Sequence, residues 1–352
     1  MKQRTTSQFR PRLAAAAAFA LILAQAFANP PARAEEASFK GKTITMVIGS
    51  GAGGGIDLYG RVVARHIGKH IPGQPAVVAQ NMPGAGSIAA ANHLYNVAPK
   101  DGTAIGILSQ GLILDEILRT PGLRFEVAKF NWIGRVSSDV LVAFTWRRAK
   151  VKTIADAITT EASLGGTGAG SSVTKSPKLL NEVVGTKFKV IVGYKNTGAA
   201  MLAMERGEVD GTSTGWGGLA GARPKWIKER TINMIVQFGT DRHPGLPDVP
   251  SWVEIAKTSQ DKNLLRVFGA NADIGKSIVA PPAMPRERVA LLRAAFAAML
   301  NDPAFLRDVK NAKMDFDHAS GERLQKIVID TIQVPEALRE RARALNNAIR
   351  QK

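Results

Sequence analysis

Residues 43–70, TITMVIGSGAGGGIDLYGRVVARHIGKH, place the tightest limit on the fold. The apolar run TITMVI fits a buried strand, and the stretch from Asp57 to His70 has helical spacing, with Leu58, Val62 and Ile67 near one face. Glycines fill the turn between them. A strand feeding a helix in this way begins a βαβ unit, in which helices cover a parallel sheet. The pattern continues through AVVA (76–79), SIAAANHLYNVA and AIGIL (104–108). It restarts at VLVAFTW (140–146). Thr153 and Asp156 then have the spacing of a capping box, and ASLGGTGAG (162–170) runs a second strand into glycines. FKVIVGY (188–194), EVDGTST (208–214) and INMIVQF (232–238) read as strands, with a helix over 197–207. RHPGLPDVPSW (242–252) reads as a surface connection. The remainder is helical: Pro285 precedes a stripe of Val289, Leu292, Phe296 and Met299, and further helices are expected over 303–312, 320–332 and 335–350.

Gly49, Gly51 and Gly54 spell G-x-G-x-x-G, the dinucleotide fingerprint. That motif also needs an acid at the end of the second strand to hold a ribose. Gln80 and Asn81 stand there instead, so dinucleotide binding is set aside. No G-x-x-x-x-G-K-[ST] occurs, so there is no P-loop. The physical content of the loop remains. Glycines permit close backbone approach, and a helix beginning near Ile56 and Asp57 turns unpaired N–H groups toward it. That is a generic anion site, suited to a carboxylate as well as a phosphate. Asp57 reads either as the helix N-cap or as a ligand contact.

The N-terminus has the pattern of a secretory leader over 1–34: basic residues to Arg12, the apolar run LAAAAAFALILAQAFA, and Ala32-Arg33-Ala34 before Glu35. Periplasmic export is therefore expected. There is no cysteine, which excludes disulfides, thiolate metal sites and cysteine nucleophiles. The net charge of +18 includes five basic leader residues and is spread without a basic run, which argues against nucleic acid. His66 and His70 are i and i+4 but lack neighbouring carboxylates in sequence, and read as a solvated helix face rather than a metal pair. No catalytic constellation or cofactor motif is evident.

Several ordered motifs resemble the receptors of tripartite tricarboxylate transporters, the Bug family of periplasmic solute-binding proteins. They are ITMVIGSGAGGGID, then NMPGAGS followed by Pro99, Asp101 and Gly102, then VGYKNTGAAMLAMERGEVDG, LPDVP at 246–250, and VAPPAMPRERV. The resemblance runs from about residue 41 to the C-terminus. It implies an α/β fold of two domains, the type II or Venus-flytrap arrangement, with the ligand cleft between them. Domain 1 would take 35–138 plus about 260–352, and domain 2 would take 139–259. The implied function is a non-enzymatic receptor that closes on a small organic anion and delivers it to a membrane permease, acting as a monomer without cofactor. The implied ligand contacts are Gly49, Ser50, Gly51, Ala52, Gly53, Gly54 and Asp57 in domain 1. In domain 2 they are Gly166, Thr167, Gly168, Ser171, Tyr194, Thr212 and Trp216. Three positions depart from the family pattern: Gly49-Ser50 replace an aromatic, Lys175 stands near a usual histidine, and Trp216 follows the polar turn. An exported enzyme acting on a carboxylate and a sensory receptor for a two-component system are the alternatives.

Overall fold

A computed structural model describes residues 39–351 except Gly54, Ala169, Gly170 and Lys195, so the expected leader lies outside the described residues. Strand β1 (Thr43–Ile48) is the spine of the first half. Its Ile44, Met46 and Ile48 are fully buried, each stabilising the fold by about 1.5–3 kcal/mol. It pairs in parallel with β2 (Ala76–Asn81) on one side and β3 (Ala104–Ile107) on the other. Helices α1 (Gly55–Ile67) and α2 (Ile88–Asn96) make the connections between these strands. Helix α1 buries Tyr59, Val62, Val63 and Ile67, but Leu58 is 40% exposed, which corrects the expected apolar face by one residue. After α3 (Leu112–Ile117) comes β4 (Asn131–Ser137).

The chain crosses at 138–140 into a second sheet. There β5 (Leu141–Trp146) is followed by α4 (Ile154–Thr159), β6 (Ala162–Gly165), α5 (Ser172–Val184), β7 (Phe188–Ile191), α6 (Thr197–Arg206) and β8 (Gly211–Gly215). Helices α7 (Trp216–Ala222) and α8 (Pro224–Lys228) lead to β9 (Ile232–Gln237). The order is β7-β6-β8-β5-β9, with β6 parallel to β7 and β8 and with β5 antiparallel to β8 and β9. Thr153 and Asp156 form the expected capping box on α4. Ser171 caps α5, and Gly185 ends it with a φ of 83°.

Helices α9 (Trp252–Ile255) and α10 (Ser259–Ile274) carry the chain back to the first sheet, which is completed by β10 (Lys276–Ala280) and β11 (Ala319–Ser320). Its order is β11-β4-β10-β3-β1-β2, with β10 antiparallel to both β3 and β4. Both sheets are therefore mixed rather than purely parallel. The stripe on α11 (Arg286–Leu300) is buried as expected, and α12 (Pro303–Asn311), α13 (Gly321–Ile332) and α14 (Glu336–Gln351) follow. Among the described residues no single helix is long and apolar enough to cross a membrane.

Two expectations are overturned by packing. The proline-rich connection is anchored rather than superficial, because His243, Leu246, Val249 and Trp252 are buried. The histidine pair, His66 on α1 and His70 in the 3-10 turn after it, is not simply solvated. His66 Nε2 lies 2.9 Å from Asp308, and His70 Nε2 lies 2.9 Å from Asp302. Both carboxylates come from the segment that forms and caps α12, more than 230 residues away, where sequence proximity cannot reveal them.

Candidate functional site

The glycine loop after β1 is held by one buried carboxylate. Asp57 is the third residue of α1, not its N-cap, and is 5% exposed. Its Oδ2 accepts from Gly53 N–H at 2.9 Å. Its Oδ1 accepts from Arg61 Nε at 2.9 Å and from Asn81 Nδ2 at 2.8 Å. Asn81 also donates to Ser50 O at 2.9 Å. Burial pushes the Asp57 carboxyl up. The bonds from Gly53, Arg61 and Asn81 and the Arg61 charge outweigh burial and hold it below the ordinary aspartate value. Asn81, where a nucleotide-binding fold would keep its ribose acid, therefore fastens the loop. The chain around Gly51, Ala52 and Gly53 stays exposed beside the first turn of α1.

The NMPGAGS segment braces the same strand ends. Gly84, Ala85, Gly86 and Ser87 all have positive φ, which turns the buried Ser87 hydroxyl inward. Its Oγ donates to Gly49 O and accepts from Ser109 N–H at 3.0 Å, tying the end of β1 to the end of β3.

The second sheet presents its own strand ends. Gly166 N–H donates to Ile191 O at 2.7 Å, and Tyr194 N–H to Gly166 O at 3.2 Å. Thr167 Oγ1 bonds the capping hydroxyl of Ser171 at 2.7 Å, so both hydroxyls serve the turn into α5. Tyr194 packs beside Gly165, where an added β-carbon would meet its ring at 3.2 Å. Thr212 is fully buried and donates to Gly165 O at 2.7 Å; it pins β8 to β6, and Gly215 forms the open end of β8.

Between the sheets lie two neighbouring cavities. The larger, about 250 Å³, is lined by Ser109, Gln110, Asp139, Ser172, Lys175 and Asn271, with Phe238, Trp252 and Phe268 as apolar walls. The second, about 200 Å³, lies between α1 and α7 and is lined by Leu58, Tyr59, Ser138, Asp139, Trp216, Gly218 and Lys276. Of the expected contacts, Trp216 reaches a cavity wall. Among the described residues Gly49 to Gly53 line neither cavity; Lys276 is the link, its Cε 3.9 Å from where a β-carbon on Gly55 would stand. Ser138 Oγ is buried at the second cavity without a hydrogen-bond partner among the described residues.

Asp139 borders both cavities, and sequence reasoning missed it together with its partners. Lys276 Nζ lies 2.7 Å from its Oδ2, and Gln110 Nε2 donates to the same oxygen. The three come from the crossing segment, the start of β10 and the turn after β3. The visible signal was a single acid just before the apolar run VLVAFTW. At the far side, Tyr59 Oη donates to Asp315 O at 2.8 Å, and burial pushes its phenol up to about 12, so it is a neutral donor at physiological pH. Among the described residues no group of three or more histidines and carboxylates is placed to hold a metal ion.

Comparison with known proteins gives this geometry a family. The model of the tripartite tricarboxylate transporter family receptor matches residues 60–342. A UPF0065 protein of Cupriavidus necator is 24% identical over 348 residues, covering 95% of this chain and 98% of that one. A ligand-free TctC solute-binding protein from Polaromonas overlays with a TM-score of 0.66 at 20% identity, covering 88% of this chain and 100% of that one. Two Rhodopseudomonas palustris structures, each 19% identical, also share the fold. MatC with bound malate has a TM-score of 0.54 and covers 86% of this chain and 98% of its own. The other, with adipate, has a TM-score of 0.56 and covers 87% and 97%. The overlays establish the periplasmic-binding-protein fold expected from the motifs, and the family match extends over most of the chain. The chain belongs to the tripartite tricarboxylate transporter receptor family.

Proposed function

We propose that the protein is a periplasmic solute receptor that captures a small organic carboxylate between its two lobes and presents it to the permease of a tripartite transporter. Each sheet with its helices is taken as one lobe, 35–138 plus about 260–352 and 139–259. Export by the 1–34 leader and action as a monomer belong to the same reading. The observation that carries it is the paired cavity, walled by strand ends of both sheets and set beside the fastened glycine loop. Its larger part is small against ligand pockets of roughly 300–1,000 Å³, which favours a compact solute. The N–H groups expected at the start of α1 suit an anion at that end. Carboxylates bound to two structures of the same fold support the class.

Calorimetric titration with mono- and dicarboxylates and with size-matched neutral solutes tests the reading. Carboxylates should bind saturably, raise the melting temperature, and be recovered chemically unchanged. Binding confined to neutral solutes overturns it. Conversion of the carboxylate would favour the enzyme alternative.

A further inference from the structure

We propose that Asp139, with Lys276 and Gln110 behind it, reads a hydroxyl group on the ligand, so that the solute is a hydroxy-substituted carboxylate. The inference rests on the receptor reading above and adds the second functional group of the ligand. Asp139 stands where the chain passes between the sheets and borders both cavities. Among the described residues both of its hydrogen-bond partners bind Oδ2, while Oδ1 is turned toward Gly215, 3.5 Å from where a β-carbon there would sit. The open oxygen thus faces the end of β8. The Asp139 side chain is 30% exposed and that of Lys276 only 13%, so the acceptor, not the cation, is the more open member of the pair.

Charge selects the kind of donor. Lys276 already balances Asp139, so a neutral donor fits without leaving net charge in the cleft. A hydroxyl does more than an ammonium can: it donates to Asp139 and accepts from a remaining N–H of Lys276. A ligand ammonium could only donate, and would stand beside a like charge. Lys276 also sets the spacing. Its Cε approaches the first turn of α1, 3.9 Å from where a β-carbon on Gly55 would stand, and its Nζ reaches Asp139. A carboxylate at that turn therefore brings a nearby hydroxyl to the pair. An acid lacking the hydroxyl would desolvate Asp139 on closure without replacing its bond to water.

The test compares three hydroxy acids with their deoxy parents by calorimetry on the mature protein: lactate with propionate, malate with succinate, and 2-hydroxyadipate with adipate. Aspartate is included as the amino counterpart of malate. In the pair of best-fitting length, the hydroxy acid should bind at least about tenfold more tightly than its parent. Malate should bind more tightly than aspartate. Asp139→Asn should weaken the hydroxy acid about tenfold more than the parent. Equal binding within each pair in the wild-type protein overturns the inference and leaves the receptor reading standing. Tighter binding of aspartate than of malate, or a hydroxyl preference that survives in folded Asp139→Asn, overturns it too. If none of the acids binds while other carboxylates in the wider titration do, the inference is overturned and the receptor reading stands.

Discussion

Gly49 has no room for a side chain. An added β-carbon would stand 2.4 Å from Ser87 Oγ and 2.8 Å from Ser87 Cβ. Ser87 is the hydroxyl that joins the ends of β1 and β3, so Gly49→Ala must displace that brace. A loss of about 1–3 kcal/mol is expected, read as a shift of the urea midpoint at unchanged slope. Asp57 acts on the same loop by charge. Asp57→Ala leaves Gly53 N–H, Arg61 and Asn81 without their acceptor, at a cost of about 1–3 kcal/mol. Arg61 is 43% exposed, so the ion pair adds little and the buried bonds carry most of the effect. The folded pKa of Asp57 lies below the ordinary 3.8, so its contribution is complete above that value and is lost as pH falls through the lower, folded one. The gap in melting temperature between wild type and Asp57→Ala should be wide at pH 7 and close below about pH 4. A gap that stays constant down to pH 2 would mean that Asp57 acts by shape alone.

At the scale of elements, α1 and the 3-10 turn that follows it (Gly68–His70) are stapled to α12 at one point each. Asp302 accepts from Lys69 and Ala304 N–H and meets His70, and Asp308 meets His66 and Arg65. These partners hold both carboxyls below the usual range, so the staple weakens in acid as the aspartates protonate. The double variant Asp302→Ala, Asp308→Ala should speed amide exchange in α12 and leave β5 to β9 protected. Exchange that rises equally in both sheets would show a global rather than a local effect. Strands such as β1, β5 and β9 announce themselves as apolar runs, and Thr153 and Asp156 mark a helix start by local chemistry alone. Strand β4 hides because it carries Arg135 and Ser137, yet Arg135 is buried with its guanidinium on Asp317 and the backbone of Asp273. Strand β10 is short, begins with Lys276, and finds its partners more than a hundred residues upstream. The site follows the same rule. The glycine loop is visible locally, whereas its fastening by Asn81 spans 24 residues, and the Asp139–Lys276 pair spans 137 residues and exists only once both crossings are folded.

For the whole molecule, the receptor reading requires the lobes to approach each other when ligand is held, and Gly218 offers a way to separate that motion from folding. It lies on α7 at the second cavity, opposite Leu58 of α1. An added β-carbon meets nothing within 4 Å, and the residue is exposed. A leucine there should be tolerated and should even gain a few tenths to about 1 kcal/mol from helix propensity. On that reading its side chain would nonetheless occupy the space into which α1 and α7 would close. Gly218→Leu is thus expected to leave the melting temperature of the free protein level or slightly higher, while weakening carboxylate binding at least about tenfold. Small-angle scattering supplies the second readout. Wild-type protein should contract when a bound carboxylate is added, and Gly218→Leu should not. A variant that binds and contracts like wild type would show that this cavity stays open in the liganded form, and that capture relies on the larger cavity beside Gln110 and Ser172 alone.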